Sequence, residues 1–160
     1  MPEVVSNTTP LISLADIGLL WVLKELYGET RIPEAVMNEI ISDPARSEVS
    51  SSGWIKVCHV PESPGKRIYS SRLHAGEVGT IILAETLHAD LVLMDDNAAK
   101  KTAKYLGMKV TGTLGVIMRA KREGLIDAVE PYLRALIEDG MYISPKIIEY
   151  VLTESGESQP

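Results

Sequence analysis

The chain has 160 residues, a formal net charge of −6, 45% apolar and 24% charged residues, and no phenylalanine. That suits one domain with a core of Leu, Ile, Val, Ala and Met, and argues against broad nonspecific attachment to nucleic acid. One cysteine, Cys58, excludes an internal disulfide or a cysteine-based zinc cluster.

In chain order, Val4-Val5-Ser6 predicts a short strand stopped by Asn7-Thr8-Thr9, with Thr9 as N-cap and Pro10 as first residue of a helix. Leu11, Ile12, Leu14 and Ala15 give that helix its apolar face. A second helix, Leu19 to Tyr27, closes at Gly28. Arg31-Ile32 is extended, and a third helix runs from Pro33 to Ile41, with Val36, Ile40 and Ile41 at helical spacing and Glu39 near that stripe. Ser42 to Gly53 is polar and Ser-rich and is expected to be a loop. Trp54 to Val60 alternates as a strand, and Pro61 to Ser71 is a second loop.

Ala75 to His88 predicts a long helix with Val78, Ile81, Ile82 and Ala84 inward. Leu91 to Met94, four apolar residues in a row, reads as a buried parallel strand. Asn97 to Leu106 is a helix ended by Gly107, Lys109-Val110 a short strand, and Gly112-Thr113 the opening of a helix ended by Gly124. Asp127 to Glu138 and Pro145 to Leu152 are the last helices. Residues 1–154 are expected to form a single domain and 155–160 a frayed tail. Short strands alternating with helices imply a three-layer α/β/α sandwich around a mainly parallel sheet.

The polar residues that carry chemistry sit where strands end or helices begin. Asp95 and Asp96 follow the apolar run, and adjacent carboxylates repel unless a cation or basic partner offsets them. In open α/β sheets that end of the strands is where ligands bind. The competing reading is that one of the two caps the next helix. Asn7 follows the first strand, Glu39 lies in the third helix, and Glu77 falls in the first turn of the long helix. Each has a plain structural reading: a turn residue, a solvated helix residue and a complement to the helix dipole. Hard divalent cations take oxygen ligands and retain waters, so a few carboxylates suffice. Two such ions can activate a water and stabilise the leaving oxygen of a phosphodiester.

Lys100, Lys101 and Lys104 follow Asp96 and could meet a nucleic-acid backbone, or simply form a solvated helix face. His59, His74 and His88 are far apart in sequence, which argues against a zinc site. Cys58 and His59 are strand neighbours facing opposite ways, so a buried strand cysteine is expected rather than a nucleophile and base.

Several segments, in this order and spacing, resemble the PIN domain family, the metal-dependent ribonuclease fold of VapC-like toxins, and in particular a prokaryotic branch of it. They are Val4-Val5-Ser6-Asn7-Thr8-Thr9-Pro10-Leu11-Ile12, Ile32-Pro33-Glu34-Ala35-Val36 with Glu39, and Gly76-Glu77. Leu93-Met94-Asp95-Asp96, Gly112-Thr113-Leu114-Gly115-Val116 and Asp139-Gly140-Met141-Tyr142-Ile143-Ser144 complete the set. The resemblance spans nearly the whole chain. It implies an Mg²⁺ or Mn²⁺ site built from Asn7, Glu39, Glu77 and Asp95, with Asp96 adjacent, and Asn7, Glu39, Glu77 and Asp95 as the catalytic set. It gives Thr8 and Thr113 supporting roles, helix N-capping being the simpler account of Thr113. It further implies RNA as substrate, an antitoxin as partner and pairing into a homodimer. One position departs from the pattern: active relatives have Asp where this chain has Asn7, an amide that brings no charge.

Two other readings stay open. One is a catalytically weak or inactive PIN-like module that binds RNA or a protein. The other is a phosphotransfer protein with Asp95 or Asp96 as acceptor, in which Glu39 and Glu77 would be surplus. No apolar run approaches the ~18 residues of a membrane span, and the first residues lack the basic and apolar regions of a signal peptide. A cytoplasmic setting with no membrane partner is therefore expected.

Overall fold

The computed structural model describes residues 2–62 and 73–157. Five strands, β1 (Val4–Ser6), β2 (Thr30–Pro33), β3 (Ile55–Cys58), β4 (Leu91–Leu93) and β5 (Val110–Thr111), form one sheet in the order β3-β2-β1-β4-β5. Every neighbouring pair is parallel, with Val4, Val5 and Ser6 opposite Leu91, Val92 and Leu93. Around it lie α1 (Thr8–Asp16), α2 (Trp21–Tyr27), α3 (Glu34–Glu39), α4 (Ala45–Ser51) and α5 (Ala75–Leu87). Among the described residues, α6 (Asn97–Tyr105), α7 (Thr113–Arg122), α8 (Glu130–Glu138) and α9 (Pro145–Glu154) complete the set.

The two buried faces of the sheet follow from the two-residue period of a strand. Val4 and Leu93 pack with Leu11 and Leu14 of α1, Val22 and Leu23 of α2, Val116 and Ile117 of α7, and Leu133 of α8. Their neighbours Val5, Val92 and Met94 point the other way, onto Ile81 and Leu83 of α5 and Ala99 and Ala103 of α6. With both faces covered, the central strands β1 and β4 are largely apolar, as parallel sheets require, while the edge strand β3 leaves Lys56 and Val57 exposed. The result is the expected three-layer α/β/α sandwich. β1 is central: the chain moves from it to β2 and β3 on one side, while β4 and β5 lie on the other. The gap between the carboxyl ends of β1 and β4 is therefore the topological switch point of the sheet.

Several boundaries differ from the sequence expectation. The first helix begins at Thr8, with Asn7, not Thr9, in the N-cap position. Pro10 then falls on the third helical residue, whose N–H would be unpaired anyway. The third helix stops at Glu39, because Ile40 turns to extended backbone and remains fully buried while Ile41 is left exposed. The Ser-rich stretch from Ser42 to Gly53 is not a loop. It holds α4, which buries Ala45 and Val49 and is tied at its start by Asp43 Oδ1, accepting from Ser47 N at 2.9 Å and Ser47 Oγ at 2.6 Å. α8 begins at Glu130 rather than Asp127.

Residues 155–157, expected to fray, are anchored. Glu157 accepts from Lys121 Nζ (2.8 Å), Val129 N (2.7 Å) and Glu130 N (3.0 Å). Most of the loop expected over Pro61–Ser71 lies outside the described residues.

Candidate functional site

Asn7 stands one residue beyond β1, and its backbone N–H donates to Leu93 O of β4 at 2.9 Å. It is 4% exposed, and neither its Oδ1 nor the neighbouring buried Thr8 Oγ1 has a hydrogen-bond partner. Leaving a buried polar atom unpaired costs about 1–3 kcal/mol, so two adjacent orphaned oxygens at the switch point need an explanation.

Asp95 stands two residues beyond β4, after the fully buried Met94. Its Oδ1 accepts from Thr113 N and its Oδ2 from Thr113 Oγ1, both at 2.7 Å. Thr113 thus does not cap its own helix, contrary to the simpler reading of the sequence. Gly112 is in the N-cap position, and Asp95 supplies the acceptor from a different segment. Glycine is needed there for space: a Cβ would lie 2.5 Å from Asp95 Oδ1. Asp96 is the N-cap of α6, its Oδ2 accepting from Ala99 N at 2.9 Å. Each carboxylate of the pair therefore meets the positive end of a helix, which offsets their mutual repulsion.

Glu77 is at the third position of α5 and only 7% exposed, with Oε1 accepting from His74 N at 3.0 Å. The long helix can approach α3 closely because its first turn is small. A Cβ on Gly76 would fall 2.0 Å from Glu39 Oε1, and one on Gly79 would fall 3.2 Å from Pro33 Cβ. The Glu39 carboxylate consequently lies over the backbone of Gly76, the residue before Glu77. Two neighbourhoods result, Asn7 with Thr8 by the end of β4 and Glu39 beside Gly76-Glu77. Among the described residues, no three His, Cys, Asp or Glu side chains converge as a group that could hold a metal ion.

A groove of about 610 Å³ opens beside Asp95. Asp95, Asp96 and Lys100 line one wall, Gly112, Leu114 and Gly115 contribute the start of α7, and Met141 to Ser144 with Ile147 form the opposite side. Lys100 Nζ reaches in to 3.2 Å from where a Gly112 Cβ would be. Lys101 and Lys104 are exposed and do not line this groove, nor do Asn7, Thr8, Glu39, Glu77 or Thr113.

Sequence reasoning did not single out Tyr142, which lines the groove at 85% exposure. Its signal is a large aromatic between the Gly140 turn and the Ser144-Pro145 helix start, outside any apolar period. Cys58 is half-buried rather than buried, its Sγ 3.9 Å from Arg31 Nη1, and His59 pairs with Glu34 at 2.8 Å in an exposed position.

A family model described as PIN domain matches residues 3–157. No curated protein matches the chain. The matched span takes in all five strands and every described helix. The chain belongs to the PIN domain family and has its nuclease-type fold.

Proposed function

We propose that the protein is a divalent-metal-dependent ribonuclease in which Asn7, Glu77 and Asp95 hold Mg²⁺ or Mn²⁺, with Glu39 and Asp96 at the margin of the site. The observation that carries this reading is the pair of orphaned buried oxygens, Asn7 Oδ1 and Thr8 Oγ1, at the switch point. An all-oxygen donor set that includes the buried Glu77 suits a hard cation that keeps some of its waters. When bound, such a cation activates a water and neutralises charge on a phosphodiester.

The chain's own residues supply the rest. Thr113 fixes Asp95 through both carboxylate oxygens. Asn7 contributes a neutral amide oxygen, Thr8 a hydroxyl that can orient a water, and Lys100, with Lys101 and Lys104 on the same helix, a cationic face for the RNA backbone. On the family resemblance alone, the setting is the toxin of a toxin–antitoxin pair in the cytoplasm, with an antitoxin covering the site and a second copy of the chain as partner.

A second reading has its own support. Asn7 adds no charge, both oxygens of Asp95 are engaged by Thr113, and no three acidic or imidazole side chains converge among the described residues. These features favour a quiet PIN module that binds RNA or a protein without cutting.

The test is incubation of the protein with unstructured RNA in Mn²⁺ or in EDTA, beside Glu77→Gln, which keeps an acceptor for His74 N, and Asp95→Asn, which keeps one acceptor for Thr113 N and can donate to Thr113 Oγ1. Cleavage that requires Mn²⁺ and falls at least about a hundredfold in either variant is expected, the size seen when one electrostatic contact to a transition state is removed. Cleavage that persists in EDTA, or in both variants, would refute the assignment.

A further inference from the structure

α3 is only six residues long, too short to hold a helical shape by itself in water. After it the chain is tied by one backbone bond, Ile40 N to Met37 O at 3.2 Å, and Ile40 turns to extended backbone. Arg46 of α4 grips that end from outside. Its Nη1 donates to Met37 O at 3.0 Å and to Ile40 O at 3.3 Å, carbonyls that bracket Asn38 and Glu39 in the chain. α4 is itself fixed by Asp43, which accepts from Ser47, and by the burial of Ala45 and Val49.

Glu39 is the last residue of α3 and has no hydrogen-bond or ion-pair partner among the described residues, nor does Arg46 pair with a carboxylate there. The carboxylate of Glu39 is nevertheless placed. It lies over Gly76 in the first turn of α5, where a Cβ would meet Oε2 at 3.0 Å and Oε1 nearer still. An acid there is stabilised by the positive start of α5 and opposed by the negative end of α3. A guanidinium on the α3 carbonyls offsets the second effect and leaves the carboxylate free, whereas a cation paired with Glu39 would occupy it.

We propose that Arg46 is a positioning residue: by holding the end of α3, it keeps the free Glu39 carboxylate at the start of α5, available to a divalent cation. The inference rests on the metal-dependent ribonuclease reading and adds to it a residue that acts through the backbone of α3.

Two readouts separate this role from a plain helix cap. The first needs no metal: in EDTA, the Gly76 amide resonance of isotope-labelled protein is followed in wild type, Glu39→Gln, Arg46→Met and the double variant. Glu39→Gln should shift that resonance, because the carboxylate lies over the Gly76 backbone. It should lose most of this effect once Arg46 is replaced. The second readout is calorimetric titration of Mn²⁺. Arg46→Met keeps the apolar stem and should weaken binding at least about fivefold, less than the roughly 10–100-fold cost of removing a ligand's own partner. Arg46→Lys keeps a cation with donors for both carbonyls and should recover most of the loss. In Glu39→Gln, replacing Arg46 should change Mn²⁺ affinity no further. The Arg46 side chain is exposed, so these variants are expected to fold; melting temperatures check it, and Arg46→Ala stands in for Arg46→Met if needed.

A Gly76 response to Glu39→Gln that survives replacement of Arg46 would overturn the proposal. So would an Mn²⁺ affinity that Arg46→Met lowers equally with and without the Glu39 carboxylate. A protein that shows the Gly76 coupling but binds no Mn²⁺ saturably keeps Arg46 as the positioner of Glu39 and loses the metal reading. Saturable Mn²⁺ binding without that coupling does the reverse.

Discussion

An amide at Asn7 does two things that a carboxylate would not. It removes one negative charge from the switch point, and it leaves a buried acceptor whose partner must come from outside the described protein atoms. Asp95 is the opposite case, with two 2.7 Å bonds to one threonine and a position fixed before any ligand arrives. Residue type and location marked Asn7 and Asp95 as candidates in the sequence, since polar groups just past apolar strands face the crevice, whereas Glu77 was marked by its place in the first turn of the long helix. The partnership of Asp95 with Thr113 was not legible. Their bond spans 18 positions and depends on the lateral pairing of β4 with β5, which periodicity does not encode. Gly76 and Gly112 were equally opaque: what each glycine admits is a carboxylate from elsewhere in the chain.

Among the elements, the periodic helices and the apolar strands, the three-residue β1 and β4 included, appeared close to where their patterns put them, and α4 did not. α4 escaped because only Ala45 and Val49 mark its buried side, while serines dominate the composition. Residues 155–157 escaped because their anchor rests on one acid, Glu157, and on Lys121, which also donates to Ser155 O. Glu157 joins the last residues to α7 through Lys121 and caps the start of α8 through Val129 and Glu130. Partial burial pushes its pKa up, but the bonds from Lys121, Val129 and Glu130 outweigh that and leave it lowered. The anchor therefore stabilises the fold above the ordinary carboxylate range and weakens as pH falls through the lowered value. Glu157→Ala is expected to cost about 1–3 kcal/mol at pH 7, from unpaired donors at the helix start. Urea denaturation checks it, and a variant as stable as wild type would show the anchor to be dispensable.

The whole molecule has a second pH-sensitive feature, where the end of α1 meets the residue after α8. Partial desolvation, a hydrogen bond shared with Asp139, and the charges of Asp139 and Glu48 push the Asp16 carboxyl up to about 6. A raised carboxyl stabilises the fold when protonated, so its contribution is complete below the ordinary value near 3.8 and is lost as pH rises through about 6. Asp16→Asn should raise the melting temperature at pH 7.5 and narrow the difference between pH 5 and 7.5. Thermal scans at both values decide it, and identical pH dependence in the two proteins would refute the coupling. The three-layer plan was legible because it needs only the alternation of elements. The strand order was not, because composition cannot say that β4 lies beside β1 rather than beside β3.

The most direct test of the metal-holding assignment is calorimetric titration of Mn²⁺ into wild type, Asn7→Asp and Glu77→Gln. Restoring a charge at position 7 should tighten binding at least about tenfold, a conservative share of the Coulomb energy between a carboxylate and a nearby dication. Glu77→Gln, which retains an acceptor for His74 N, should abolish saturable binding. An affinity that neither substitution moves would contradict the assignment of Asn7 and Glu77 to a metal site.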